Sequence, residues 1–311
     1  MRVITFGYQT WGHRTLSALL GSKHEVVLSV THPPSDHPYE QMWSDSVEDL
    51  ARENGIPVFV GKRPDDALIQ AVRDADADLI IANNWRTWLP REIYQAPRFG
   101  TLNVHDSLLP KYAGFSPLIW ALINGESHVG VTAHLMDDSL DGGPIVAQQA
   151  VAVGPQDTTT DLFHATVDLI EPVLLHALDL LESGRTDFTA QDPAQATYFH
   201  KRSERDSHID FRWPADAIER LVRAQADPYP NAFTYYKGER LRVLKASVSP
   251  RLFGGTPGRV TVPEGNGIAV VCGPDAWNGG NPALVLERLR LDDGTEVDAK
   301  DFFAGRAGYL E

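Results

Sequence analysis

Met1-Arg2-Val3-Ile4-Thr5-Phe6-Gly7, running on into Tyr8-Gln9-Thr10-Trp11-Gly12, is a short apolar stretch that ends at a glycine and leads into a helical pattern over Thr15–Leu20. It reads as a strand rather than a secretory leader. The same alternation continues through the first half. Apolar runs stand at Glu25–Thr31, Val58–Gly61, Asp78–Ala82, Thr101–His105, Gly130–Met136 and Ile145–Val153, and helical patterns at Ser46–Asn54 and Asp66–Ala75. This spacing predicts right-handed βαβ units and an α/β domain with a Rossmann-like, mostly parallel sheet. The first turn, Gly7 to Gly12, is not G-x-G-x-x-G, and Val30-Thr31-His32 closes the second strand without an acidic residue. Both features count against a nicotinamide-dependent dehydrogenase on this fold.

A long helix is expected from Thr159 to Ser183, because Leu162, Ala165, Leu169, Val173, Ala177 and Leu180 recur at three- and four-residue intervals. Pro172 inside it predicts a kink or a split, and Gly184 a C-cap. Residues 185–200 are polar and read as a linker. Beyond them come a helix around Asp216–Ala226 and β-like runs at Ala232–Tyr236, Arg240–Ser247, Arg259–Val262, Gly267–Cys272 and Ala283–Leu289. Short strands with Gly and Pro turns predict a small open β-barrel of the OB type. The expected division is a catalytic domain over 1–184, a linker over 185–200 and a barrel domain over 201–311.

The 311 residues are 42% hydrophobic and 23% charged, an ordinary globular composition. One cysteine, Cys272, rules out an intrachain disulfide framework and suits a reducing compartment. No apolar run approaches a bilayer's span, so a cytoplasmic protein is expected. The formal net charge of −14 counts against a large nucleic-acid partner and favours a small-molecule substrate.

Chemistry concentrates in Thr101-Leu102-Asn103-Val104-His105-Asp106-Ser107-Leu108-Leu109-Pro110. Side chains alternate along a strand, so Asn103 and His105 share a face. Ligands of open α/β sheets bind at the carboxyl ends of the strands. The next strand runs into Asp137-Asp138-Ser139-Leu140-Asp141-Gly142-Gly143-Pro144, a loop able to bring Asp141 to the same edge. Taken singly, a strand-end histidine or an Asp in a Gly-Gly-Pro loop is an ordinary structural residue. Together, amide, imidazole and carboxylate form a candidate catalytic set. No His/Cys/carboxylate spacing suggests a metal site.

Asn103–Pro110 followed by Leu140–Pro144 resembles the signature of the 10-formyltetrahydrofolate-dependent formyltransferases. Ala196–Arg202, Asp206–Trp213 and Arg223–Ala246 resemble the start of the C-terminal domain of the methionyl-tRNA and aminosugar members, so the likeness covers about three quarters of the chain. The resemblance implies 10-formyltetrahydrofolate as formyl donor and an amine-type nitrogen as acceptor. Asn103 and a protonated His105 would hydrogen-bond the oxyanion that forms at the formyl carbon, and Asp141 would support the imidazolium and relay a proton. It also implies a pterin pocket built from the Asn83–Pro90 loop and the Asp137–Asp141 segment, with Trp85, Arg86, Trp88, Leu89, Asp137 and Asp138 as candidate contacts. Read from residues alone, Trp85 and Trp88 are equally well core residues. Many relatives carry Arg before the glycine of the next segment, where this chain has Lys111-Tyr112-Ala113-Gly114.

The acceptor varies across that superfamily. The stretch 33–61 holds Asp36, Glu40, Asp45, Glu48, Asp49 and Glu53 against Arg52 and no other cation before Gly61, which opposes a tRNA acceptor stem. His32–Trp43 and Gly114–Glu126 resemble the siderophore enzymes that formylate N5-hydroxyornithine. The expected partner is therefore a small-molecule amine or hydroxylamine, met by Asp36, Lys111 and Tyr112, with Glu40, Asp45 and Arg86 as further charged candidates. An aminosugar comes second, methionyl-tRNA third, and a non-catalytic binding protein of the same fold is the reading from another class.

Overall fold

The computed structural model describes residues 1–36 and 41–311. They divide into two compact units: Met1–Pro117, His128–Ala152 and Phe163–His200 form the first, and Leu118–Ser127, Val153–Leu162 and Lys201–Glu311 the second.

The first unit follows the expected alternation. In chain order its elements are β1 (Arg2–Gly7), α1 (Gln9–Leu20), β2 (Glu25–Thr31), α2 (Val47–Glu53), β3 (Val58–Val60), α3 (Asp66–Asp74), β4 (Leu79–Asn83), α4 (Arg91–Tyr94), β5 (Thr101–His105) and β6 (Ala113–Gly114). After α5 (Pro117–Ile123), which beyond Pro117 belongs to the second unit, come β7 (His128–Leu135), β8 (Ile145–Ala152), α6 (Thr159–Glu182), in the first unit from Phe163 on, and β9 (Tyr198–Phe199). The main sheet runs β3-β2-β1-β4-β5-β7-β8. Its first five strands are parallel, whereas β5–β7 and β7–β8 pair antiparallel. The order reverses between β1 and β4, the switch point where such sheets open a ligand crevice.

The sheet is covered on both faces. Ile4, Phe6, Leu28, Val30, Ile80 and Ala82 pack with Leu68 and Val72 of α3 and Ile93 and Tyr94 of α4. Leu16 of α1 packs with Val47 and Ala51 of α2. Each fully buried side chain of this size contributes roughly 1.5–3 kcal/mol. Helix α1 begins six residues before the apolar periodicity does, because Gly12 lets its first turn approach the β1 backbone; a Cβ there would stand 2.5 Å from the Gly7 carbonyl carbon. Helix α6 continues through Pro172 as one element of 24 residues, neither ended nor divided there.

The second unit holds α7 (Ala215–Ala224), β10 (Ala232–Tyr236), β11 (Glu239–Phe253), β12 (Val260–Glu264), β13 (Gly267–Val270), β14 (Asn281–Arg290), β15 (Glu296–Asp298) and α8 (Ala299–Phe302). Its antiparallel sheet runs β10-β11-β14-β13-β12, with β15 on β14. Residues near the carboxyl end bridge the two edges: Tyr235 exchanges backbone hydrogen bonds with Glu311, and Val260 donates to Gly308. The edges are thereby joined, as a small barrel requires. Among the described residues no helix is long and apolar enough to cross a membrane.

Candidate active site

Asn103 and His105 are both 8% exposed on β5. Strand β7 lies antiparallel beside them and sets His134 opposite Asn103. Because β7 runs opposite to β5, the hairpin to β8 leaves beyond the amino end of β5, not at the carboxyl edge expected for a parallel strand. Asp141 reaches Asn103 by folding back. Gly143 permits the fold-back, since a Cβ there would stand 1.8 Å from the Leu135 carbonyl oxygen.

These groups interlock. His134 is 2% exposed, and its Nδ1 lies 3.1 Å from the Leu135 carbonyl, which can only accept; Nδ1 therefore carries the hydrogen. The Nε2 lone pair then accepts from Asn103 Nδ2 at 3.1 Å. The second hydrogen of that amide faces Asp141 Oδ1 at 3.4 Å, a long bond. Asp141 Oδ2 accepts the Gly114 N–H at 2.8 Å. Burial holds the His134 pKa down to about 4, with the Asp141 carboxylate pulling the other way. His134 is thus a neutral acceptor that turns the Asn103 amino group toward Asp141.

His105 is set up differently. Its Nε2 stands 3.0 Å from the Tyr112 carbonyl, so Nε2 also bears hydrogen and Nδ1 is the nitrogen left to exchange a proton. Burial disfavours its charge, yet the carboxylates of Asp141 and Asp106 and the Tyr112 carbonyl outweigh burial, and the pKa lies above the ordinary histidine value. Burial likewise raises the Asp106 carboxyl, against the pull of His105 and a hydrogen bond from Trp11.

A cavity of about 430 Å³ opens beside Asn103, His134 and Asp141, while His105, buried behind them, does not line it. It is lined by the Trp85–Arg91 loop with Tyr94, by Asn103, Phe115 and His134, and by Met136–Asp141. All six candidate donor contacts, Trp85, Arg86, Trp88, Leu89, Asp137 and Asp138, therefore meet there with Asn103 and Asp141. Trp88 is 69% exposed at the mouth, while Trp85 is half-buried, edge-on to Phe6 and stacked on His32 at 3.9 Å. Asp138 is held by Arg91 and by the Tyr94 hydroxyl at 2.5 Å, so its side chain serves the loop's own structure. Arg86 donates to Gln9 at 2.7 Å and lies over the Tyr8 ring. The Trp85 indole nitrogen and the Thr87 hydroxyl are buried without a hydrogen-bond partner.

The three candidate acceptor contacts do not line this cavity. Asp36 and Lys111 are exposed. Tyr112 is 6% exposed, its ring stacked on Phe199 and its carbonyl engaged by His105. Glu40 lies outside the described residues. Asp45 lines a second cavity of about 200 Å³, with Tyr8, Gln9, Thr31, His32 and Glu48. Among the described residues no three His, Cys, Asp or Glu side chains converge as a metal site would require. Sequence reasoning missed His134; the period-two pattern puts it on one face of β7, but only the antiparallel register sets it against Asn103.

Residues 1–178 match the formyl transferase family and residues 201–307 match the formyl transferase C-terminal domain. Among solved structures, HypX from Aquifex aeolicus in complex with tetrahydrofolic acid is similar at 19% identity and a TM-score of 0.58, covering 98% of this chain and 47% of that one. The chain thus spans about half the length of HypX. An N-formyltransferase from Helicobacter canadensis, in complex with folinic acid and dTDP-3-aminofucose, is similar at 16% identity and a TM-score of 0.68, covering 91% and 98%. Glycinamide ribonucleotide transformylase 1 from Symbiobacterium toebii is similar at 22% identity and a TM-score of 0.52, covering 61% and 93%. At such identities the likeness is one of fold, and the two domain matches carry the assignment: this chain belongs to the formyl transferase family.

Proposed function

We propose that this protein transfers a formyl group from 10-formyltetrahydrofolate to the nitrogen of a small-molecule amine or hydroxylamine. The observation that carries the reading is the bonded set Asn103, His134 and Asp141 in the wall of the 430 Å³ cavity. Its volume suits a pterin-sized ring system. When bound, the donor supplies the activated formyl carbon.

The chain's own groups then have distinct tasks. Asn103 holds one amide hydrogen on His134, and its long bond to Asp141 is the one free to turn toward the formyl oxygen as charge builds there. His105, protonated at Nδ1, is the second donor and the proton carrier. Asp141 favours that imidazolium and takes the proton shed by the attacking nitrogen, and the His105 proton goes to the donor nitrogen that is released as its bond to the formyl carbon breaks.

For the acceptor, our narrower reading is N5-hydroxyornithine in hydroxamate siderophore assembly. The second cavity, with Asp45 and Glu48 beside Gln9, supports an acceptor bearing a cationic handle. In this reading the exposed Asp36 and Lys111 meet its α-ammonium and α-carboxylate, and Tyr112 serves His105 instead. An aminosugar is the second reading, favoured by the aminofucose complex of the Helicobacter canadensis relative. The test is formylation of hydroxyornithine, ornithine, an aminosugar nucleotide and methionyl-tRNA under identical conditions. Preference for the sugar would replace the acceptor, and preferred turnover of methionyl-tRNA would overturn the small-molecule reading.

A further inference from the structure

Residues 189–199, polar enough to read as linker, run under both loops that carry the catalytic set. Thr189 exchanges backbone hydrogen bonds with Ile145 at 2.8 and 3.1 Å. Gln191 Nε2 donates to the carbonyls of Asp141 and Gly143, each at 2.7 Å, using both its hydrogens. Thr197 Oγ1 accepts the Tyr112 N–H at 2.9 Å, and the Thr197 carbonyl accepts from Ala113 at 2.8 Å. Strand β9 pairs with β6, and Phe199 stacks on Tyr112 at 4.9 Å.

The two residues so gripped share a backbone feature. Tyr112 has φ 62° and Asp141 φ 51°, a left-handed conformation that non-glycine residues hold only when their surroundings impose it. Each supports a proposed catalytic group: the Tyr112 carbonyl takes the His105 Nε2 hydrogen, and Asp141 carries the carboxylate.

We propose that Gln191 and Thr197 are positioning residues of the active site, acting through the Asp141 and Tyr112 backbones to fix the carboxylate against Asn103 and the carbonyl against His105. This rests on the reading that His105 and Asp141 serve formyl transfer. Gln191 bears the larger share, because its removal frees two carbonyls of the Asp141 loop at once, whereas Thr197 contributes one side-chain acceptor.

The test uses the full chain with Gln191→Met, which keeps length but has no donors, and Thr197→Val. Gln191→Met is expected to lower kcat by about tenfold to a hundredfold, the scale of a small misplacement of a catalytic group, with donor Kd changed by less than about threefold. Thr197→Val is expected to lower it by about threefold. In an Asp141→Ala background, Gln191→Met should add less than about twofold. An equal loss in both backgrounds would make Gln191 a general scaffold contact and overturn the proposal.

A second readout needs no turnover. The titratable groups facing His105 are Asp141, Asp106 and His134. Moving Asp141 leaves burial less opposed, so the His105 ring should titrate at lower pH in Gln191→Met, followed by NMR of the labelled imidazole. An unmoved titration would overturn the positioning role of Gln191 whatever the acceptor proves to be. Conversely, a wild-type chain that formylates nothing would sink the functional reading while this titration still decided the positioning role. Should Gln191→Met fail to fold, Thr197→Val tests the other arm: loosening the Tyr112 carbonyl removes a contact that favours the charged ring, so His105 should again titrate at lower pH, and an unmoved titration would overturn the proposal.

Discussion

Residues 1–200 hold 12 Lys and Arg against 26 Asp and Glu, while residues 201–311 hold 16 against 16, so the whole excess of −14 lies in the first stretch. The two also bury polar groups differently. In the second unit the buried polar side chains close structural gaps: Thr234 donates to the Glu311 carbonyl, Asn231 to the Gln225 carbonyl, and Ser249 to Glu264. In the first unit Asn103, His134 and Asp141 bond one another, and one of those bonds is long. A satisfied buried group stabilises, whereas a partly satisfied set in a cavity wall holds capacity in reserve for a ligand. On this comparison the proposed chemistry is placed in the first unit, and Thr234, Asn231 and Ser249 of the second are treated as scaffolding.

The largest effect should come from breaking that asymmetry at its centre. His105→Ala, Asn103→Ala and Asp141→Ala are each expected to lower turnover about a hundredfold or more with folding retained. Asn231→Ala, also buried but in the second unit, should cost roughly 1–3 kcal/mol of stability and leave turnover near wild type. Decades of lost activity in Asn231→Ala, or a folded His105→Ala with wild-type turnover, would end the division.

Acid pH offers the next test. The folded-state pKa of His134 is about 4, below an unfolded value near 6.5. The unfolded chain therefore takes up this proton first as pH falls. The stability it represents, about 3 kcal/mol, is complete above pH 6.5 and is lost between 6.5 and about 4. His134→Gln keeps an acceptor for Asn103 without a titrating ring, so its stability curve should be flatter over that window in chemical denaturation. Curves parallel to wild type would show that His134 titrates as an ordinary exposed imidazole. His105 has the opposite sign: its raised pKa keeps the imidazolium below that value, and activity that needs it should fall as pH rises through it.

A smaller effect is expected at the cavity mouth. Trp88→Ala removes an exposed ring from the donor's path and should raise donor KM about tenfold with kcat held, the signature of binding lost equally in ground and transition states. A fall in kcat at unchanged KM would place Trp88 in the chemistry instead.

How far the chain could be read follows from which interactions are local. Asn103 and His105 were legible because strand alternation is a property of five consecutive residues. His134 was not, since its meeting with Asn103 depends on β7 running against β5, and period-two patterning has no direction. Trp85 and Trp88 sit three residues apart in one loop, and hydrophobicity alone cannot separate the half-buried ring from the one 69% exposed. The contacts made by residues 185–200 were the least legible. Their polarity marks a solvated segment, but Gln191 and Thr197 use that polarity to bind loop backbone, a partner no sequence window contains.

The smallest expected effect concerns salt. A single zwitterionic acceptor drawn to the cavity beside Asp45 and Glu48 feels one or two partly screened charges, so raising salt from about 50 to 200 mM should lower its kcat/KM by less than about threefold. A tRNA acceptor would behave otherwise. Binding through phosphate contacts falls by about three to five decades over the same range. Repulsion from the acidic first unit would work the other way, and salt would relieve it. Measuring kcat/KM for hydroxyornithine and methionyl-tRNA across that range separates the cases by slope and sign. A steep fall for the preferred acceptor would mean that cationic side chains, not the acidic loop, form the acceptor's path.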